Sequence, residues 1–293
     1  MKHKTLKVFI AGASGLVGGQ CLQYFSGKGW EVKGSYFSYP VDGLVYFNTL
    51  EQDENNFDLA GWRPDVIVHC GALTHVDYCE SNEEESYLKT VKSTETLVAI
   101  AKAIGAGFVY FSTDYVFDGV SGPYKEEDPV NPLSVYGRHK LEGEQLVLRE
   151  IQNALVLRVT NIYGDEARGK NFVARIVSQI EEGKELTLKL PYDQFAHPTN
   201  AADLARALYL LLRDGKRGIY HLGGTDYMNR VELALRILKH FPQAKYQLEP
   251  ISTASLNQPA ARPLNGGFIR AKFCAEYPEF LFSNVDDYLS GKA

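Results

Sequence analysis

Six short apolar runs alternate with longer helical patterns along the first two thirds of this 293-residue chain. The apolar residues within each run are continuous, which is typical of strands buried on both faces of a parallel sheet. Helical segments between such strands cover the two faces. The predicted strands are Lys7–Ala11, Glu31–Tyr36, Val66–Cys70, Gly107–Ser112, Ala154–Val159 and Gly218–Leu222, and the predicted helices include Leu16–Phe25, Glu83–Ile104, Tyr136–Glu150 and Ala201–Arg213. The pattern predicts an α/β fold with a doubly wound parallel sheet of the Rossmann type.

The pattern changes near Gly164, after which the segments become richer in loops. Residues 201–222 still read as a helix and a strand that return to the first sheet. We therefore predict a first domain formed by residues 1–163 and 200–222. Residues 164–199 and 223–293 are predicted to form a smaller, discontinuous region. A chain of this length buries roughly three quarters of its unfolded surface, so a substantial core is expected.

Composition narrows the range of partners. The formal net charge of -5 argues against a nucleic-acid partner, which usually requires a basic surface. No window approaches the roughly 20 apolar residues of a membrane span, so no membrane partner is expected. Scattered histidines give no metal spacing, and a homodimer is compatible with the sequence. Four cysteines match no metal or disulfide pattern and are interpreted as reduced, mostly buried thiols of a cytoplasmic protein: Cys21, Cys70, Cys79 and Cys274.

A glycine-rich turn follows the first predicted strand. Gly12, Gly15 and Gly18 have the spacing G-x-x-G-x-x-G between a strand and an amphipathic helix. In dinucleotide-binding folds these glycines permit the turn, the approach of backbone N–H groups to a pyrophosphate, and close helix–strand packing. The positive end of the helix then faces the phosphates. We therefore predict that the first domain binds NAD(P). The other residues of the predicted cofactor loop are Ser14, Leu16 and Val17.

The end of the second predicted strand bears on the choice between NAD and NADP. An acidic residue there would bind the ribose hydroxyls of NAD. The strand ends without Asp or Glu, and Ser35, Ser38 and Lys33 are compatible with a 2′-phosphate. The sequence therefore favours NADP over NAD, with Ser35 as the predicted contact.

A tyrosine and a lysine lie four residues apart in the predicted helix 136–150, on one helical face. The pKa of a free tyrosine is near 10, and a nearby ammonium group lowers it, which suits proton transfer at neutral pH. Tyr136 is therefore the predicted acid–base residue, and Lys140 is predicted to lower its pKa. The predicted strand 107–112 ends at Ser112, and Thr113 follows it. Ligands bind at the carboxyl ends of strands in such sheets, so both hydroxyl groups are expected near the site.

Several strings of the sequence resemble the dTDP-4-dehydrorhamnose reductase family of the extended short-chain dehydrogenase/reductase superfamily. The resemblance extends over most of the chain and is strongest over residues 65–142. The strings are Ser112–Gly119, Asp65–Val68 with Gly71–Asp77, Asn131–Gly137, Asp193–Thr199 and Ala261–Pro263.

The resemblance implies a function and a set of site residues. The family transfers a hydride from a nicotinamide to the 4-keto group of a dTDP-linked deoxysugar, so the smaller region is expected to bind a nucleotide sugar. Tyr136 would donate the proton, Lys140 would also hold the nicotinamide ribose, and Thr113 would bind the reacting oxygen, with Ser112 as the alternative. The further cofactor contacts would be Gly71, Ala72 and Thr74. The substrate contacts would be Val76, Asp114, Val116, Asn161, His197 and Arg262.

Two departures leave the substrate open. Asn161 stands where the family usually has an aromatic residue, as in many nucleotide-sugar epimerases. Lys92 replaces an asparagine that many superfamily members use in proton transfer, which would alter the proton path. The alternatives are another nucleotide-sugar reductase or epimerase, and a non-catalytic subunit resembling the regulatory β subunit of methionine adenosyltransferase. The retention of Tyr136 and Lys140 favours an enzyme.

Overall fold

A computed structural model describes residues 5–51, 54–166 and 168–292. Its centre is a seven-stranded parallel sheet in the order β11-β6-β5-β4-β1-β2-β3. The strands are β1 Lys7–Ala11, β2 Glu31–Tyr36, β3 Val45–Tyr46, β4 Val66–His69, β5 Gly107–Thr113, β6 Ala154–Val159, β7 Ile162–Tyr163, β8 Leu186–Pro191, β9 Phe195–Ala196, β10 Thr199–Asn200, β11 Gly218–His221, β12 Met228–Asn229 and β13 Tyr246–Ile251. The predicted fold class is confirmed, and each of the six predicted strands lies within one residue of the observed one.

The helices lie on both faces of this sheet and in the second region. They are α1 Leu16–Gly27, α2 Leu59–Trp62, α3 Val76–Ser81, α4 Glu83–Tyr87, α5 Ser93–Ile104, α6 Val135–Glu150, α7 Phe172–Glu181, α8 Ala201–Arg213, α9 Arg230–His240, α10 Ala271–Glu276 and α11 Val285–Ser290. A π-helical turn over Leu88–Lys92 joins α4 to α5. The single helix predicted over residues 83–104 is therefore a continuous segment with a widened turn in its middle.

Alternate residues of the strands face opposite layers. In β1, Val8 and Ile10 pack into the core beneath α1 and α8, whereas Phe9 packs into the core beneath α5 and α6. Each of these three side chains is fully buried. Both faces of the sheet are therefore covered by helices, which explains why the strands read as continuous apolar runs.

A third apolar core lies in the smaller region. It joins α7, α9 and α11 to strand β8, and Ile176, Leu186, Ile237 and Leu289 are buried in it. Residues 271–282 depart from the expected division, because Phe273 and Phe282 pack into the core beneath α8. The chain after residue 223 thus contributes to both regions.

A buried ion pair fixes the helix that carries the predicted acid–base residue. Arg158 of β6 donates from Nη2 to Glu144 of α6 at 2.8 Å, and both side chains are almost completely buried. Arg158 also contacts His221 of β11, with Nη1 and Nε2 3.3 Å apart. Removing one partner would leave a buried charge unpaired, so the intact pair links α6 to β6.

Other features bear on the expected partners. Within the described ranges, no helix combines the length and the apolar character needed to cross a membrane. In the same ranges, no three His, Cys, Asp or Glu side chains are grouped so as to hold a metal ion. The four cysteines are free; Cys21 and Cys79 are buried, Cys70 is half-buried, and Cys274 is exposed.

Candidate active site

The glycine turn follows β1, which pairs with β2 on one side and with β4 on the other, so the order of the strands reverses at this point. Gly12 has a φ of 84°, which favours glycine, and a Cβ there would lie 3.0 Å from the backbone N of Gly71. A Cβ on Gly18 would lie 2.5 Å from the carbonyl oxygen of Gly12. Both glycines are thus required by close backbone approach, and Gly12 lies directly beside the loop that begins at Gly71.

The start of helix α1 is suited to an anion. Its N-cap, Gly15, provides no side-chain cap, and the first turn carries no acidic residue. A Cβ on Gly15 would meet a single atom within 4 Å, the carbonyl oxygen of Gly12 at 3.4 Å, so the space in front of the helix is open. N–H groups at a helix start without a side-chain cap attract phosphate. The residues present therefore fit a dinucleotide pyrophosphate.

Ser35, the predicted 2′-phosphate contact, lies beneath the glycine turn. Its side chain is 2% exposed, and Oγ accepts a hydrogen bond from the backbone N of Gly12 at 3.4 Å. The carbonyl oxygen of Ser35 accepts from the backbone N of Ala13 at 2.8 Å. Ser35 therefore supports the shape of the turn and does not face solvent at the end of β2.

Strand β5 brings a hydroxyl to the predicted acid–base residue. Thr113 is the last residue of β5, and its Oγ1 accepts from the backbone N of Tyr115 at 3.2 Å. The Thr113 hydroxyl donates to Asp114 Oδ1 at 3.3 Å and lies close enough to Tyr136 to lower the pKa of that phenol. The hydroxyl of Ser112 is buried and has no partner among the described residues. Of the two candidates, Thr113 is the one that faces Tyr136.

Tyr136 lies in the first turn of α6, half-buried. The helix begins at the N-cap Ser134, whose side chain accepts from the backbone N of Gly137 at 3.2 Å. The ring of Tyr115 meets that of Tyr136 edge to face, with centroids 5.6 Å apart. Burial raises the pKa of Tyr136 well above its ordinary value, and the nearby Thr113 hydroxyl opposes this shift.

Lys140 lies four residues further along α6 and is 4% exposed. Its Nζ donates to the carbonyl oxygen of Phe111 at 2.5 Å and lies 4.1 Å from the centre of the Tyr110 ring. Burial lowers the pKa of Lys140 to about 7. Burial of the phenol is the largest influence on the pKa of Tyr136, and the Lys140 ammonium group is directed at Phe111, so the lowering of this pKa by Lys140 stays a prediction.

Two residues expected at the substrate have buried side chains. Val116 is fully buried and packs with Phe117, Tyr124 and Phe268. The carboxylate of Asp114 accepts from Thr160 Oγ1 at 2.7 Å, and it also accepts from the backbone N of Gly267 at 3.3 Å. Asp114 thus joins the end of β5 to the smaller region and is directed into the protein.

Asn161 is brought to an arginine that sequence reasoning missed. Its φ is 42°, and its Oδ1 accepts from Nη2 of Arg230 at 2.6 Å. Arg230 opens helix α9 and lies 4.9 Å from the ring of Phe172, which Arg175 approaches to 5.9 Å. Arg230 and Arg175 form no ion pair with a carboxylate of the described chain. A signal for Arg230 was available, since a cation in the first turn of a helix opposes the helix dipole.

Arg262 connects the smaller region to the predicted active site. It donates to the Tyr115 hydroxyl at 3.0 Å, to Asp77 at 2.6 Å and to Gln258 at 2.8 Å. Since the ring of Tyr115 packs on that of Tyr136, Arg262 is connected to the predicted acid–base residue through Tyr115. Arg230 lies close enough to Tyr115 and Arg262 for their charges to affect its pKa, which burial lowers.

The remaining predicted residues lie in different surroundings. His197 is 7% exposed, and its Nδ1 accepts from the backbone N of Phe268 at 3.1 Å, as a packed histidine would. Thr74 is exposed, and Val76 is half-buried at the start of α3. Lys92 forms a 2.7 Å ion pair with Glu95 on the surface, so its side chain does not replace the asparagine in the site.

The turn at the end of β1, the hydroxyl at the end of β5 and the Tyr-x-x-x-Lys helix lie along one edge of a Rossmann-type sheet. That combination defines the extended short-chain dehydrogenase/reductase class. A family model described as the RmlD substrate binding domain matches residues 6–278, and the chain belongs to this family. The predicted resemblance is confirmed.

Individual relatives point in two directions. The methionine adenosyltransferase 2 subunit beta of Xenopus laevis is 32% identical over an alignment that covers 84% of this chain and 75% of the length of that subunit. A hypothetical dTDP-4-dehydrorhamnose reductase from Sulfolobus tokodaii is 30% identical with a TM-score of 0.82, over 96% of this chain and 98% of that one. The Bacillus anthracis dTDP-4-dehydrorhamnose reductase in complex with NADP is 25% identical with a TM-score of 0.82, over 99% of each chain.

Proposed function

We propose that this protein uses NAD(P)H to reduce the 4-keto group of a nucleotide-linked deoxysugar. The observation that carries the proposal is the placement of Tyr136 near Thr113, at the carboxyl end of β5 and on the same edge of the sheet as the glycine turn. Two donor groups that meet at one point can bind a single substrate oxygen and supply it with a proton. The reductases among the structural neighbours support this reading.

The proposed cofactor site combines several segments. The start of α1 with Gly15 would bind the pyrophosphate, the loop from Gly71 through Thr74 would lie along it, and Lys140 would bind the nicotinamide ribose. When bound, the nicotinamide would supply the hydride. NADP is proposed over NAD because β2 ends without an acidic residue and because one neighbouring reductase was solved with NADP.

Tyr136 is the proposed proton donor. Its raised pKa keeps the phenol protonated at neutral pH, so the proton is available when charge develops on the substrate oxygen. Thr113 would bind the same oxygen and fix its position relative to Tyr136. Lys140 is buried against the carbonyl oxygen of Phe111, and its pKa of about 7 leaves a substantial fraction charged at neutral pH.

The arginines around Asn161 support an anionic, nucleotide-linked substrate. Arg230 and Arg175 both lie near the ring of Phe172 and have no carboxylate partner in the described chain. A guanidinium group binds phosphate oxygens through parallel hydrogen bonds. We propose that Arg230 and Asn161 bind the substrate's diphosphate, with Arg262 positioning Tyr115. The sugar would then lie between these arginines and Tyr136.

A second candidate is a non-catalytic subunit that binds NADP and a protein partner. The observation that favours it is the similarity to methionine adenosyltransferase 2 subunit beta, which covers 84% of the chain. A non-catalytic subunit would not need Thr113 and Tyr136 to lie close together at the end of β5. Their proximity favours the enzyme.

The two candidates are distinguished by turnover. Purified protein is mixed with NADPH or NADH and a panel of nucleotide-linked 4-keto sugars that includes dTDP-4-dehydrorhamnose, and loss of reduced cofactor is followed by absorbance. We expect sustained consumption with at least one sugar. Dinucleotide binding without consumption of any sugar would contradict the reductase proposal and favour the non-catalytic subunit. Tight cofactor retention with interconversion of sugar isomers would indicate an epimerase.

A further inference from the structure

Arg168 of the smaller region contacts Tyr39 of the first domain. Arg168, from the loop that follows β7, lies over the ring of Tyr39, with its guanidinium carbon 5.0 Å from the ring centre. Tyr39 belongs to the loop that follows β2 and is 39% exposed. The side chain of Arg168 is also exposed. Two segments more than 120 residues apart in sequence therefore meet at the end of β2.

The end of β2 is where this fold binds the adenosine ribose of a dinucleotide. A cofactor with a 2′-phosphate needs a cation there, because the phosphate carries up to two negative charges. Residues 34–44 contain no lysine or arginine, and their one charged residue is Asp42. Ser35 is buried against Gly12, and Lys33 is directed at the ring of Phe57, 5.4 Å from its centre. The strand and its loop thus provide no cation for this phosphate.

The loop that carries Arg168 is held over the dinucleotide helix. Gly164 is packed so closely on α1 that a Cβ there would lie 3.3 Å from Cδ1 of Leu16. Asn171 Nδ2 donates to the carbonyl oxygen of Gly164 at 2.9 Å, and Asp165 accepts from the Tyr288 hydroxyl at 2.6 Å. Gly164 therefore lies against the start of α1, at the proposed pyrophosphate site, whereas Arg168 lies over Tyr39 after β2.

We propose that Arg168 binds the 2′-phosphate of NADPH and that Tyr39 supports its guanidinium group, an assignment that rests on the proposed cofactor. Arg168 has no ion pair with a carboxylate in the described part of the chain. Its planar donors suit a phosphate, and its stacking on an aromatic ring keeps them oriented. The selectivity for NADPH then comes from the smaller region and not from β2.

Binding measurements on the full chain test this without a sugar substrate. Calorimetric Kd values are compared for 2′,5′-ADP, 5′-ADP, NADPH and NADH. In R168Q, we expect the Kd for 2′,5′-ADP and NADPH to rise about tenfold to a hundredfold, as for loss of hydrogen bonds to a charged group, whereas those for 5′-ADP and NADH change less than about twofold. The matched control is K170Q, since Lys170 is an exposed cation of the same loop, and it should change neither pair.

A second variant tests the role of the ring. Y39L should raise the Kd for 2′,5′-ADP more than that for 5′-ADP, because the guanidinium loses its support. Unchanged NADPH binding in R168Q, or an equal loss of NADPH and NADH, would overturn the assignment while leaving the proposed reductase intact. Failure of the unmodified protein to bind either dinucleotide would contradict both proposals, and absent sugar turnover with R168-dependent NADPH binding would contradict the reductase alone.

Discussion

Replacing Tyr136 by phenylalanine separates the chemistry of this residue from its packing. The substitution removes one hydroxyl from a half-buried ring that remains packed against Tyr115. The only interaction lost is that of the hydroxyl with nearby Thr113, which costs at most the roughly 0.5–1.5 kcal/mol of a neutral hydrogen bond. For a chain of this length, 1 kcal/mol corresponds to a change in Tm of roughly 2 °C. Loss of a general acid, in contrast, slows turnover about 10²- to 10⁴-fold.

We therefore expect Y136F to melt within about 3 °C of the unmodified protein, to bind NADPH normally and to lose kcat by at least about a hundredfold. The matched control is Y115F, which removes a hydroxyl from the adjoining ring and breaks its hydrogen bond to Arg262. Y115F should retain a kcat within about tenfold, because Tyr115 transfers no proton in the proposed mechanism. Absorbance assays, calorimetry and thermal melts measure the three quantities. Near-normal turnover by Y136F would refute the role of Tyr136 as the acid.

Three further outcomes are expected. R230M should raise KM for the nucleotide sugar about tenfold or more with little effect on the Kd of NADPH, since Arg230 contacts Asn161; unchanged KM would remove it from the site. Burial lowers the pKa of His69, His197 and His221 to about 3, 4 and 3. Below pH 6.5 the unfolded chain thus binds more protons than the folded protein. As the pH falls, the free energy of unfolding should decrease by up to about 1.4 kcal/mol per pH unit for each histidine, which urea titrations at several pH values would measure. K140M should raise the free energy of unfolding of the cofactor-free protein below pH 7, where the unmodified protein buries a charged lysine. The gain should shrink between pH 7 and 10.5, because the folded protein has lost this charge above about pH 7 while the unfolded chain still carries it. A gain that does not depend on pH would exclude this cause.

Several site residues could be found from sequence because their signals are local. A glycine that must turn the chain, such as Gly12, follows the strand that it terminates. Tyr136 and Lys140 share a helical face because of their spacing alone. The directions of long side chains were not predictable in this way. The Lys140 ammonium is held by the carbonyl oxygen of Phe111, 29 residues away in sequence, so its effect on Tyr136 depended on packing.

The sequence by itself determined the order of strands and helices, the glycine turn and the Tyr-x-x-x-Lys spacing, because hydrophobic periodicity and backbone sterics act over a few residues. Only the tertiary structure decided that Ser35 lies under the turn, that Arg230 reaches Asn161 and that Arg168 lies over Tyr39. These contacts join residues separated by 23, 69 and 129 positions. Their formation depends on how the smaller region packs against the sheet, which no local pattern encodes.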